Sequence, residues 1–194
     1  MKLYLTPGAC SLADHIALHE AGLAFDRVRV DLGTRRTEDG GDYTEVNPKG
    51  YVPALVLDDG QVLTENVAIL CWVADRAPEL APEGELGRIR LIEMLAFIST
   101  ELHKPFIRAF FPTGDAEREA AEDAIRRRLG FIADRVRGEY LFGSGFGVAD
   151  AYLYVMLRWA RMQGLELPGP LPAFVERMNA RPAVRLALRH EGLT

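Results

Sequence analysis

Cysteine is scarce in this chain, with only Cys10 and Cys71 among 194 residues. Two thiols cannot staple a secreted disulfide scaffold, and a reducing, cytoplasmic setting fits that usage best. Long apolar runs are missing as well. No stretch approaches the roughly 18 apolar residues of a spanning helix. Met1-Lys2-Leu3-Tyr4-Leu5 leads into a turn rather than a signal-peptide core, so neither membrane insertion nor secretion is expected. There is no basic excess: Lys and Arg number 23 against 28 acidic residues, a net charge of −5. A nucleic-acid partner is therefore not expected. The densest basic cluster, Arg126-Arg127-Arg128, has Glu119, Glu122 and Asp123 within two helical turns and reads as a solvated helix face. Finally, position 13 is Ala, so Cys10 does not belong to a Cys-x-x-Cys pair and a dithiol cycle within one chain is excluded.

The residues that are present fall into two kinds of order. Hydrophobic residues make up 48% and charged residues 26%, enough to bury a sizeable core. Residues 2–6 read as a strand ending at Pro7-Gly8. Helical spacing follows from Cys10 to about Ala21, and Gly22 ends it. Phe25, Val28 and Val30 mark a second strand, and the polar, Gly-rich stretch 33–50 reads as a loop with one short helix. Val52–Leu57 and Gln61–Thr64 face each other across Asp58-Asp59-Gly60 as a hairpin. Glu65-Asn66 then opens a helix. The segment 77–84 carries Pro78 and Pro82 and no periodicity, and reads as a linker between residues 1–78 and 85–194. Beyond it all is helix: one long helix from Leu86 to about Phe110 with a bend near Pro105, a second over 116–137, a third over 148–163, and a shorter fourth from near Pro172.

Several positions have chemical potential. Cys10 follows a strand and a Pro-Gly turn at the start of a helix, where unpaired N–H groups and the helix dipole favour an anion. A thiol so placed is expected to ionise easily, in the range of roughly 3.5–7.5 seen for activated thiols. The other reading is a small buried apolar residue, and Cys10 alone leaves both open. Redox work would need a second thiol from outside, for which glutathione is the abundant candidate. Glu65, at a helix start, is either a dipole partner or an acceptor for an amino group. His103 on the long helix reads, by itself, as surface or satisfied core. His15 and His19 have i, i+4 spacing, but there is no His-Glu-x-x-His and no third ligand is obvious, so no metal is expected. Gly143-Ser144-Gly145-Phe146-Gly147 lies among helices without a βαβ unit, so it is not a dinucleotide loop. Cys71 falls on the apolar side of its helix and reads as core.

These signals occur together and in order. Ala9-Cys10-Ser11, Asn47-Pro48-Lys49-Gly50-Tyr51-Val52-Pro53-Ala54-Leu55, Leu63-Thr64-Glu65-Asn66, Glu101-Leu102-His103-Lys104 and Val148-Ala149-Asp150-Ala151-Tyr152 resemble the beta class of bacterial glutathione transferases over essentially the whole chain. The resemblance implies an α/β plus all-α fold: a thioredoxin-like N-terminal domain with a mixed four-stranded sheet, then an all-helical domain. It implies glutathione as co-substrate, with no metal, a homodimer, and a pocket for hydrophobic electrophiles between the domains. Cys10 matches the cysteine that forms a mixed disulfide with glutathione. Val52 matches the residue whose backbone pairs with the cysteinyl part, beside a cis Pro53. Glu65 and Asn66 match the grip on the γ-glutamyl end. His103 matches a histidine close to the thiol, with Thr100, Glu101 and Lys104 near the same cleft and Ala9 and Tyr51 in the matching motifs.

Cys10, Ser11 and His103 are thereby implied as catalytic, Ser11 through its N–H and side chain. The sequence also departs from the pattern. Arg35 stands where a lysine contacting glutathione is common, Ala96 replaces an asparagine, and Gly147 replaces a Ser or Thr helix cap at a cost of about a few tenths of a kcal/mol. Phe106, Phe110 and Phe111 are candidates for the electrophile wall. Two other functions fit the same residues: a glutathione-dependent thiol oxidoreductase or peroxidase, and a non-catalytic binder of hydrophobic ligands.

Overall fold

The computed structural model describes residues 1–136 and 138–194. Its sheet has the order β3-β2-β1-β4-β5, with β1 at Lys2–Leu5, β2 at Asp26–Asp31, β3 at Arg36–Thr37, β4 at Ala54–Val56 and β5 at Val62–Thr64. Leu3, Tyr4 and Leu5 are all buried because β1 is central, covered on both faces. It pairs in parallel with β2, the two joined through α1 (Leu12–Glu20), and antiparallel with β4, with Leu3 opposite Leu55. The β4–β5 hairpin forms as its turn residues predict.

The sheet has five strands where the sequence suggests four. The extra one, β3, is two residues long and pairs Thr37 with Val30. The Asp31 carboxylate accepts the N–H groups of Gly33 (2.8 Å) and Thr34 (3.1 Å), which reverses the chain. Two residues in a polar loop carry no alternation, so no pattern announces them.

α1 begins at Leu12 rather than Cys10, because Cys10 lies in the turn that precedes the Ser11 cap. α2 spans Asn66–Arg76. The linker then folds back tightly: a Cβ at Gly87 would lie 1.9 Å from the Pro82 carbonyl oxygen, so only glycine starts the next helix there. The predicted long helix is α3 (Gly87–Phe97) and α4 (Lys104–Phe110), joined by a π-helical stretch over Ile98–His103. Pro105 has no N–H to give the ladder, and the widened turn sits just before it.

α5 (Asp115–Ala133) follows, and the end expected for it at residue 137 lies outside the described residues. On α5, Arg126 pairs with Glu122 and Asp123, as a solvated face should. α6 (Val148–Met162) is buried along nearly its whole length and packs on α1. Asp150 replaces the missing side-chain cap: its carboxylate accepts the N–H of Gly147 at 2.8 Å and of Leu141 at 2.9 Å. A Cβ at Gly147 would stand 3.0 Å from the Leu80 carbonyl oxygen, which explains why glycine suits this place. The expected fourth helix is two, α7 (Leu171–Ala180) and α8 (Pro182–Glu191). Pro182 forces Arg181 into extended backbone and breaks the run.

Candidate active site

The parallel β1-α1-β2 unit brings Cys10 to the amino end of α1, at one end of the sheet. Around it lies a cleft of about 420 Å³ between the sheet-bearing portion and the helices. Ala9, Cys10, Tyr51, Val52, Pro53, Glu65 and Asn66 line it from one side; His103 and Lys104 line it from the other. The Val52–Pro53 peptide is cis. These nine expected positions, far apart in sequence, therefore share one cavity.

Cys10 corrects an expectation. Its thiol is buried and donates to the Val52 carbonyl at 3.6 Å, a bond that only the protonated form can make. Burial first, then the Asp14 carboxyl, pushes the thiol up to about 12, although the N–H groups of Cys10 and Ser11 pull the other way. The helix terminus is present, and desolvation outweighs it. Ser11 is corrected in part too. Its hydroxyl is fully buried and bonded to the Thr6 backbone (3.4 Å to the carbonyl), so only its N–H addresses the sulfur position.

Glu65 has φ of +73°, a strained conformation for a side-chain-bearing residue, and it aims the carboxylate into the cleft. Oε1 accepts from Lys49 Nζ at 2.5 Å and from Tyr51 OH at 2.7 Å. Partial burial opposes the charge, but these bonds and the charges of Lys49 and Lys104 hold the carboxyl below its ordinary range. Asn66 is buried; its amide donates to the Cys10 carbonyl (2.9 Å) and to Asp14 Oδ2 (2.7 Å). Asp14 Oδ1 is buried without a hydrogen-bond partner among the described residues, and burial raises that carboxyl well above its usual range.

His103 Nδ1 lies 3.1 Å from the Tyr152 hydroxyl, and the ring leans on Trp159 with centroids 5.3 Å apart. Burial, helped by the Lys104 charge, lowers it to about 4, so the ring is neutral at pH 7. Burial also keeps the proton on Tyr152, whose hydroxyl shares one hydrogen bond with Nδ1 of the neutral ring.

Three expected contact residues lie elsewhere. Thr100 is exposed and its hydroxyl donates back to the Ala96 carbonyl at 3.0 Å. Glu101 turns toward α5 and pairs with Arg128 at 2.6 Å. The π-helical stretch rotates both away from the wall that His103 occupies. Arg35 is exposed, with φ of +56°, and its guanidinium lies over Gly50, outside the cleft lining. Of the three phenylalanines, Phe110 and Phe111 line the cleft with Ile107, whereas Phe106 is wholly buried against Trp159. Lys49, Asp14, Tyr152 and Trp159 are site residues that sequence reasoning passed over. Lys49 and Tyr152 stood inside motifs that carry the resemblance; Asp14 and Trp159 have no local signal, since only packing brings them there.

Residues 9–76 match the family described as glutathione S-transferase, N-terminal domain, and residues 94–182 match glutathione S-transferase, C-terminal domain. The glutathione S-transferase GstA of Escherichia coli O157:H7 is 46% identical over the full length of both chains. A sphingomonad glutathione S-transferase solved in complex with glutathione is 46% identical, with a TM-score of 0.93 and full coverage of both chains. A bacterial beta-class glutathione S-transferase from Sphingomonas chungbukensis is 48% identical, again with a TM-score of 0.93 and full coverage of both.

Proposed function

This chain belongs to the glutathione S-transferase family, in its bacterial beta class, and from that premise we propose how its cleft works. It is an enzyme, a glutathione transferase with glutathione as co-substrate, and the family implies no metal in the reaction. The tripeptide lies extended along the first portion of the chain. Its cysteinyl backbone pairs with Val52, whose N–H donates to no other backbone group among the described residues. Its γ-glutamyl ammonium meets Glu65, already held ionised by Lys49 and Tyr51, and its carboxylate meets the N–H groups at the start of α2. The sulfur then rests at the amino end of α1, beside the N–H groups of Cys10 and Ser11.

Those N–H groups stabilise the thiolate of glutathione, and proximity aligns it with an electrophile against Ile107, Phe110, Phe111 and Trp159. The thiolate attacks the electrophilic carbon, a carbon–sulfur bond forms, and the leaving group departs with the bonding pair. Neutral His103 serves the sulfur or the leaving group through hydrogen bonding rather than as an imidazolium acid. Disulfide exchange is the companion activity, in which Cys10 thiolate attacks glutathione disulfide, forms the mixed disulfide and releases one glutathione thiolate. The raised thiol means that Cys10 must lose its proton before it can attack.

The observation that carries this reading is Cys10, Val52, Glu65 and His103 sharing one cavity. Conjugation of glutathione to 1-chloro-2,4-dinitrobenzene, followed by absorbance, tests it: wild type turns over and Cys10→Ala keeps at least a tenth of the rate. Near-complete loss in Cys10→Ala would favour the oxidoreductase, and glutathione binding without turnover of any electrophile would favour a mere binder.

We also infer a homodimer, a cytoplasmic setting suited to two free thiols, and the division into residues 1–78 and 85–194. Sedimentation at micromolar concentration tests the dimer, and separate expression of the two portions tests the division. Among the described residues, no helix is long and apolar enough to cross a membrane.

A further inference from the structure

On the far side of α1 from the cleft, three histidines meet. His15 and His19 stand one turn apart on α1, and His190 comes from the last turn of α8. One ring nitrogen from each lies within 4.8 Å of those of the other two. His15 is fully buried, and its ring is nearly parallel to that of His190, 12° between planes and 5.7 Å between centroids. Three ring nitrogens, Nε2 of His15, Nε2 of His19 and Nδ1 of His190, are shielded from solvent and have no hydrogen-bond partner among the described residues. Buried polar atoms are nearly always paired, so three orphans at one spot need an explanation.

The chemistry of the surroundings supplies it. Glu191 accepts from His15 Nδ1 at 2.8 Å, which fixes the hydrogen on that nitrogen and leaves Nε2 with a bare lone pair. The other oxygen of Glu191 accepts the Gly8 N–H at 2.8 Å, so the carboxylate is anchored. A carboxylate behind a histidine, with the opposite nitrogen free, is the outer-shell arrangement found at metal sites. We propose that His15, His19 and His190 bind one late first-row divalent cation, zinc first, which clasps α8 to α1. Imidazole suits zinc, copper and nickel, and three nitrogens leave a fourth tetrahedral position for water.

Zinc–nitrogen bonds of about 2.0–2.1 Å put ligand nitrogens about 3.4 Å apart in a tetrahedron. The rings must therefore draw together slightly. His190 can follow, since it precedes the left-handed Gly192 that ends α8. Binding would also reach the cleft: Glu191 holds the N–H of Gly8, whose carbonyl accepts from Trp159 at 2.8 Å. Occupancy would then tighten the turn that leads to Cys10.

The test uses the whole protein, stripped with a chelator and titrated with zinc chloride by isothermal calorimetry. One zinc per chain, a rise in melting temperature reversed by EDTA, and tetrahedral visible bands when cobalt replaces zinc are the expected results. His19 and His190 are only partly buried, so His19→Gln and His190→Gln should remain folded by circular dichroism and each weaken zinc at least tenfold. Glu191→Gln should weaken it about 10–100-fold. Unchanged stoichiometry and affinity in the His19→Gln/His190→Gln double variant would assign the zinc to surface or thiol groups and overturn the proposal. Absence of binding by wild type at micromolar zinc would overturn it equally.

Discussion

At the Cys10 sulfur two effects oppose each other. The N–H groups of Cys10 and Ser11 favour the thiolate, while burial and Asp14 favour the thiol, and burial wins. Ligand-free protein at pH 8 should therefore alkylate at Cys10 at least tenfold more slowly than free cysteine, read by iodoacetamide labelling and peptide mass spectrometry. Rapid labelling would show the thiolate already formed. Asn66 is the other decisive residue. Asn66→Ala removes two buried hydrogen bonds and takes from the Asp14 carboxyl its side-chain donor, so urea denaturation should show a loss of about 2–4 kcal/mol. Position left Cys10, Val52 and Glu65 open one by one, and the order of their motifs along the chain, through the resemblance it carries, announced them together. The protonation of the thiol was not legible, because desolvation depends on neighbours that no local pattern names.

Elements decide which residues face the cleft. The π-helical stretch before Pro105 presents His103 and Lys104 to the cavity while Thr100 and Glu101 turn elsewhere. A long helix was readable from its apolar spacing, but the π-helical turn within it was not, and the two expected contacts Thr100 and Glu101 lie on that turn. α6 depends on Asp150, whose carboxylate takes up two N–H groups that water cannot reach. Asp150→Ala should cost about 2–4 kcal/mol, measured by chemical denaturation, through two orphaned buried donors. Conjugation by the fraction still folded should remain near normal, because Asp150 lies outside the cleft lining.

Across the whole molecule the two portions are tied by polar links as well as by apolar packing. Arg181 forks onto Glu20, with a second bond of 2.8 Å, and Trp159 donates to Gly8. His103 lies where the portions meet, and its titration is a property of that junction. Its folded value of about 4 is below the ordinary 6.5, so between these values the unfolded chain binds the extra proton. The stability from a neutral His103 is thus fully present above pH 6.5 and is lost as pH falls toward 4. Wild type should lose more stability than His103→Gln over that window, measured by melting temperature at each pH. Equal losses would mean that the ring is not held neutral by burial.

Sequence alone determined the βαβ-hairpin-helix order, the helical remainder and the family, because each rests on spacing, turn chemistry or motifs carried by neighbours along the chain. Tertiary structure alone decided the protonation of Cys10, the burial of Ser11, the turning away of Arg35, Thr100 and Glu101, and the meeting of His190 with His15 and His19. Desolvation and approach between residues 170 or more positions apart are created by packing, and only the folded chain contains them.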